Sequence, residues 1–151
     1  MSDGTVATNR RATHDYFIEE RLEAGIVLAG NEVKSLRARH VSLQEAYVEI
    51  REREAWVVGM HINPYQTGPG QPDLAPDRTR KLLVSRREIA QLERKVRQKG
   101  FTLVPLRLYF NSAGYAKLEV GLGRGKRQYD KREALKEADE KRRADRAVAE
   151  R

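Results

Sequence analysis

The chain has 151 residues, of which 39% are hydrophobic and 34% charged, and this length fits a single domain with one core. Because cysteine is absent, disulfides, thiol catalysis and thiolate zinc sites are excluded. We expect neither a membrane span nor a signal segment, and the excess of 30 Lys/Arg over 22 Asp/Glu points to a polyanionic partner. The alternative is that the charge serves only solubility.

The N-terminal third begins with small polar residues, so residues 1–12 are predicted to be a loose arm. Strand-like segments follow at 16–18 and 26–28, and the stretch 19–23 between them is compatible with strand or turn. Asn31 suits the N-cap of a short helix over 31–37, with Glu32 in its first turn.

Two hairpins are predicted from apolar and β-branched runs. The first joins 46–51 to 55–62, and the second joins 102–110 to 115–122 across a turn-forming segment, Asn111 to Gly114. Pro105 has no backbone N–H, so it moves its strand towards an edge or a bulge.

A loop and a helix separate the hairpins. The loop, residues 63–77, holds four of the five prolines and is predicted to be irregular. The helix after it begins with a capping box, Ser85 to Glu88, buries a stripe of Ile89, Leu92 and Val96, and ends at Gly100.

Many short strands with few helices predict a mainly β fold. We expect a small antiparallel barrel of the oligonucleotide-binding type, over residues 13–123, with two or three helices packed on it. A fold of this kind offers an open face to nucleic acids but does not prove that use.

The C-terminal segment, residues 124–151, is basic and poor in large apolar side chains. It contains eleven Lys/Arg and seven Asp/Glu, so it carries half of the net +8 of the chain. Such a segment cannot join a core. Its i,i+4 pairs, Glu137 with Lys141 and Asp139 with Arg143, support a helix that is marginal alone. We therefore predict a tail that is disordered when free and helical when bound, although a permanently solvated tail stays possible.

Strand parity in the second hairpin places Arg107, Tyr109, Tyr115 and Lys117 on one face. Rings that stack bases beside cations that meet phosphates are what an RNA-binding platform needs. A second basic cluster, Arg78-Thr79-Arg80-Lys81, could clamp phosphates. The alternatives are half-buried tyrosines with basic neighbours and an ordinary solvated loop.

Signals for catalysis are weak. The histidines, His14, His40 and His61, are scattered without metal-ligand spacing, and no nucleophile motif or Walker sequence occurs. We interpret Gly121, Gly123 and Gly125 as a strand end that lets the tail leave at a sharp angle.

Five stretches together resemble the small protein B family, the transfer-messenger-RNA-binding proteins of bacterial trans-translation. They cover much of residues 9–150 and are, in order, Asn9-Arg10-Arg11-Ala12 with His14 to Glu20, Leu22 to Ile26, Gly30 to Arg37, Arg78 to Leu83, and Gly125 to Arg132. The resemblance implies a cytoplasmic, monomeric adaptor without cofactor or catalytic activity. It would carry the tRNA-like domain of transfer-messenger RNA to stalled ribosomes.

The same resemblance implies two sets of site residues. The first set combines the resemblance with the strand parity of the second hairpin and the basic cluster described above. For transfer-messenger RNA it contains Asn9, Glu23, Arg78, Arg80, Lys81, Leu83, Arg107, Tyr109 and Lys117. The set for the decoding site and empty mRNA channel is Gly125, Lys126, Arg127, Tyr129, Asp130, Lys131 and Arg132, with Tyr129 stacking on a ribosomal RNA base.

The implied partners are transfer-messenger RNA and the small-subunit RNA at the decoding centre. The elongation factor and alanyl-tRNA synthetase that act on the same RNA would be indirect partners, and no membrane is expected. Two alternatives stay open: a general ribosomal RNA-binding protein, and a metal-dependent nuclease that uses Glu20, Glu23 and Glu119.

Overall fold

A computed structural model describes residues 4–64 and 75–126, and this part of the chain is mainly β. Its helices are α1 (Arg10–Asp15), α2 (Gly30–Arg37) and α3 (Arg86–Lys99). Its strands are β1 (Thr5–Thr8), β2 (Tyr16–Ile26), β3 (Val41–Ser42), β4 (Tyr47–Arg51), β5 (Glu54–Val58), β6 (His61–Ile62), β7 (Arg80–Leu83), β8 (Thr102–Phe110) and β9 (Ala116–Gly125).

Seven strands form one antiparallel sheet in the order β1-β8-β9-β2-β7-β5-β4, and β3 pairs separately with β6. The two edge strands of the large sheet, β1 and β4, do not pair with each other within the described residues. The sheet curls until β4 lies near the start of β8, where Val48, Val96 and Phe101 line a cleft of about 300 Å³. The predicted mainly β fold with two to three helices is therefore confirmed. The sheet does not close into a complete barrel within the described residues.

The core lies on the concave face of the sheet. Leu108 on β8 and Leu118 on β9 are fully buried opposite each other, and Leu82 on β7 packs into the same cluster. Leu36 brings α2 to this core, and Leu92 brings α3. Burial of these side chains holds the two helices on one side of the sheet, which leaves part of the convex face open.

A smaller cluster covers one end of the convex face. Ala12 of α1 packs there with Val104 and Leu106 of β8. A Cβ at Gly121 would lie 2.9 Å from Leu106 Cδ1, and one at Gly123 would lie 3.0 Å from the Phe17 carbonyl oxygen. The predicted role of these two glycines as a strand end is therefore wrong, because they lie within β9 and make room for Leu106 of β8 and for residues 16–18 of β2.

The N-terminal segment is more ordered than the sequence indicated. We expected a loose arm through Ala12, but Thr5–Thr8 forms β1 on the outer edge of β8 and Arg10–Asp15 forms α1. Unpaired backbone groups at the edge of β8 give this short segment a hydrogen-bonding partner, a contact that local composition does not reveal.

The helix ends agree with the sequence in α3 and differ in α2. The Ser85 hydroxyl accepts a hydrogen bond from Glu88 N–H at 3.2 Å, and Gly100 ends α3 with φ 69°. In α2 the N-cap is Ala29, not Asn31, and the Glu32 carboxylate accepts from Ala29 N–H at 2.9 Å. Glu32 therefore caps the helix from its third residue.

Both hairpins are confirmed, with local corrections. Glu52 and Arg53 make a tight turn between β4 and β5 with φ values of 51° and 64°. The predicted second strand stops at Val58, and 61–62 forms the separate strand β6. Pro105 lies at a bulge in β8, as its missing N–H predicted, and β2 is one continuous strand.

Candidate nucleic-acid interface

The outer face of the sheet brings three predicted RNA contacts together. In cross-strand register, Tyr109 lies opposite Lys117, Lys117 opposite Gly25, and Gly25 opposite Leu83. Leu83 is 57% exposed, an unusual environment for a leucine in the middle of a sheet. Gly25 is buried, and a Cβ built on it would lie 3.2 Å from Leu83 Cβ and 3.4 Å from Leu83 Cδ1, so the Leu83 side chain covers this glycine. Glu23, two residues before Gly25, lies on the same face of β2.

A row of charged side chains runs beside Lys117 and Gly25. Glu119 lies opposite Arg107 on one side and Glu23 on the other. Its carboxylate is 3.2 Å from Arg21 Nη1 and 3.8 Å from Arg107 Nη2. Glu119 is therefore neutralised within the sheet, while Glu23 stays exposed.

Tyr109 differs from its predicted role. Its ring is only 9% exposed, and the Arg107 guanidinium covers it with a centroid distance of 4.2 Å. Its hydroxyl donates to the Glu23 carboxylate, and burial together with this bond raises the pKa of Tyr109 to about 12. A covered ring cannot stack a base, so the expectation that Tyr109 stacks on RNA is not supported. Tyr115, at the hairpin turn, is 68% exposed and offers the free ring.

The basic cluster before β7 divides into inner and outer residues. Arg80 is fully buried, and its guanidinium donates to Glu32 at 2.8 Å, to Met60 O at 2.6 Å and to Pro76 O at 2.9 Å. The predicted contact between Arg80 and RNA is therefore wrong, because no part of its side chain reaches the surface. Lys81 points outward, with Nζ 3.1 Å from Glu54.

Glu32 joins this cluster to α2. It is 5% exposed and accepts hydrogen bonds from both Arg78 and Arg80. Burial alone would raise the pKa of Glu32, but the bonds from Arg78, Ala29 N–H and Arg80 outweigh it and hold the pKa below its usual value. The ion pair fixes the start of β7, the strand that carries Lys81 and Leu83.

Asn9 is also an internal residue. It is 7% exposed, its backbone N–H donates to Leu106 O and its side-chain amide donates to Pro105 O at 2.9 Å. Asn9 thus attaches the start of α1 to the bulge in β8. The predicted direct contact with RNA is not supported for this side chain.

The root of the tail is attached to the folded body. Lys126 Nζ donates to Thr13 O at 3.0 Å and lies 5.2 Å from the centroid of the Phe17 ring. Arg124 covers Phe101 at 4.6 Å, and Gly125 pairs with Tyr16 at the end of β9. The other predicted tail residues, Arg127, Tyr129, Asp130, Lys131 and Arg132, lie outside the described residues.

The carboxylates considered for metal catalysis are dispersed. Glu20 accepts from Lys95, Glu23 from Tyr109, and Glu119 from Arg21. Within residues 4–64 and 75–126, no three acidic or imidazole side chains converge on a metal-sized site. The same part of the chain contains no helix long and apolar enough to cross a membrane.

The sequence analysis did not predict two features of this interface. Gly25 makes room for the side chain of Leu83, its partner on β7, and the Phe17 ring contacts Lys126. A glycine inside a strand-like run is a recognised sign of close approach, so Gly25 could have been found. The Phe17 contact joins residues 109 positions apart and leaves no local signal.

Comparisons with known proteins agree with this geometry. The sequence matches the model of the SmpB protein family over residues 6–150. The chain belongs to the SmpB family. An SsrA-binding protein from Roseiflexus castenholzii is 51% identical over 146 residues, covering 97% of this chain and 92% of the relative. One from Geobacter metallireducens is 48% identical over 151 residues, covering 100% and 97%.

A solved structure is also similar. A chain described under "tmRNA-SmpB: a journey to the center of the bacterial ribosome" shares 48% sequence identity and a TM-score of 0.65, over 80% of this chain and 83% of that one. The resemblance drawn from the sequence motifs is thus confirmed at the level of the family.

Proposed function

We propose that this chain is a cytoplasmic, monomeric, non-catalytic adaptor that binds the tRNA-like domain of transfer-messenger RNA and delivers it to stalled ribosomes. The observation that carries the proposal is the cross-strand row of Lys117, Gly25 and Leu83 in a chain of the SmpB family. It provides a cation for a phosphate on one side and an exposed apolar side chain for a base or sugar on the other, with no side chain from Gly25 between them.

Direct and positioning roles can be separated on this surface. Lys117, Leu83, Glu23, Lys81 and the ring of Tyr115 are accessible to RNA, and Arg78 lies at its margin. A second set acts from inside: Tyr109, whose ring Arg107 covers, donates to Glu23, Arg80 fixes β7, and Asn9 fixes α1. Glu23 supplies only acceptors when ionised, so its RNA partner should be a base N–H or a ribose hydroxyl.

Residues 125–132 and the rest of the tail are proposed to contact a second RNA, in the decoding site and the empty mRNA channel. Tyr129 would stack on a ribosomal RNA base, and Asp130, Lys131 and Arg132 would begin a helix. The net positive charge of residues 124–151 and the end of β9 at Gly125 support this division. The elongation factor and alanyl-tRNA synthetase would act on the same RNA without touching this site.

Truncation after Lys126 tests the division of labour and keeps β9 intact. The shortened chain should bind transfer-messenger RNA with unchanged affinity and fail to support peptide tagging on stalled ribosomes. A matched variant, Tyr129→Ala in the full chain, should also keep its affinity for transfer-messenger RNA. Its peptide tagging should be reduced rather than lost. Equal loss of both activities on truncation would reject the division.

Lys117→Ala tests the RNA face. The variant should bind transfer-messenger RNA more weakly, and the slope of log K against log salt should become shallower by about one unit or slightly less, since one phosphate contact is lost. Competition with other structured RNAs separates this function from general ribosomal RNA binding. A wild-type chain without preference for the tRNA-like domain would refute the proposed partner.

A further inference from the structure

A cleft adjoins the outer face of the sheet beyond Leu83. Two connected hollows, of about 600 and 510 Å³, lie between the turn joining β4 to β5 and the first turns of α3. Arg53, Glu54, Arg86 and Ile89 line both hollows, so they form one continuous cleft. Leu83 and Lys81 line its second part, which makes the cleft continuous with the proposed RNA face.

The floor of this cleft is apolar. Ile89 is 6% exposed and Leu82 is 1% exposed, and both line the second hollow, together with the half-buried Val84. Each of the two hollows is within the size of pockets that hold small organic ligands. A planar group with one apolar face fits such a floor.

The walls carry two cationic side chains that form no ion pair within the part of the chain that the structure describes. Arg53 and Arg86 are exposed on opposite walls, and neither guanidinium has an ion pair or hydrogen bond within the described residues. Two nearby carboxylates already have partners, since Glu54 pairs with Lys81 and Glu93 with Arg97. Glu52 is exposed at the turn and is the other carboxylate of the lining.

We infer that this cleft is a nucleotide subsite: one unstacked nucleotide of the bound RNA places its base on the Ile89 floor and its phosphates against Arg53 and Arg86. The inference rests on the proposed RNA-binding function, because continuity with Leu83 and Lys81 identifies the ligand. Guanidinium groups pair with phosphate oxygens in bidentate fashion, and single-stranded RNA is recognised through bases that leave the stack.

A charge-matched pair of double variants tests the subsite. R53Q/R86Q removes the two cleft cations, and R39Q/R94Q removes two exposed arginines that do not line the cleft, one of which, Arg39, shares the positive φ of Arg53. The probe is the tRNA-like domain of transfer-messenger RNA, titrated at several salt concentrations. All substituted residues are exposed, so thermal unfolding should be unchanged in both variants.

The cleft variant should bind more weakly than the control, with its salt slope shallower by about 1.4–1.8 units, since each single-strand or duplex phosphate contact contributes about 0.7–0.9. Chemical probing should show that one or two nucleotides lose protection in the cleft variant alone. Equal slopes and equal protection in the two double variants would overturn the subsite. If Lys117→Ala still weakens binding in that case, the proposed function survives while the subsite fails. If the wild type shows no preference for this RNA, the function itself fails.

Discussion

The buried contact between Glu32 and Arg80 leads to a strong prediction for stability. Glu32→Gln keeps the size of the side chain but removes its charge, so the fully buried Arg80 guanidinium loses its counter-ion. Removing one partner of a buried ion pair costs about 3–5 kcal/mol in the free energy of unfolding. That is a large share of the roughly 5–15 kcal/mol that holds a domain of this size together.

Urea unfolding at pH 7 measures this loss, and Trp56, the single tryptophan, reports it from β5, the neighbour of β7. The matched control is Glu54→Gln, which breaks the pair with Lys81. Both side chains of that pair are over 40% exposed, so its loss should cost less than about 1 kcal/mol. The reasoning is refuted if Glu32→Gln loses no more stability than this control.

The pH dependence of the same variant checks the cause. The pKa of Glu32 is lowered on folding from its usual 4.5, so its contribution to stability is complete above that value. It is lost as the pH falls from about 4.5 through the lower pKa of the folded state. The difference in stability between wild type and Glu32→Gln should therefore shrink at acidic pH. A difference that stays constant from pH 7 to pH 3 would exclude the carboxylate as its source.

Three further predictions follow from other contacts. Tyr109→Phe removes the bond to Glu23 and should lower stability by about 1 kcal/mol, measured by urea unfolding, and weaken RNA binding without changing its salt slope. Phe17→Ala removes the aromatic partner of Lys126, an exposed cation–π contact of about 0.5–1 kcal/mol, and should reduce peptide tagging while RNA affinity is kept. Gly121→Ala should destabilise by about 1–3 kcal/mol through overpacking against Leu106, whereas Gly125→Ala, with no atom within 4 Å of the new Cβ, should be nearly neutral in thermal unfolding.

Each of these has a contrary outcome. A shallower salt slope in Tyr109→Phe would show that the substitution also removes a contact between a cation and a phosphate, which contradicts a role limited to holding Glu23. Full tagging by Phe17→Ala would show that the root contact is dispensable. Equal melting temperatures for the two glycine variants would contradict the close packing of Gly121 against Leu106 and Ile18.

Local signals were sufficient where a structure depends on nearby residues. The Ser85 cap, the Gly100 end of α3, the bulge at Pro105 and the second hairpin all follow from spacings of a few residues. Parity along β8 and β9 also placed Arg107, Tyr109 and Lys117 on one face correctly. Conformational preferences and strand alternation act over these short distances, so sequence alone reveals them.

Contacts between distant segments were not accessible in this way. Tyr109 shares a face with Lys117, but the hydrogen bond that removes it from solvent comes from Glu23, 86 residues away. Arg80 lies on the same side of β7 as Leu82. Because residues 82 and 83 are both leucine, the alternation of side chains does not indicate which side faces the core. Asn9 is buried by Pro105 and Leu106, 96 and 97 residues later. In each case tertiary packing decides which polar side chain is available to a ligand.

Strand β9 links the two proposed contacts mechanically. Lys117 lies near its start and Gly125 ends it, and eight residues of extended chain separate these points by about 26 Å. Antiparallel partners on both sides, β8 and β2, prevent this distance from stretching or bending freely. If each end binds its own nucleic acid, β9 keeps the two binding sites at a fixed distance. The number of residues in β9 then sets the spacing between the two ligands.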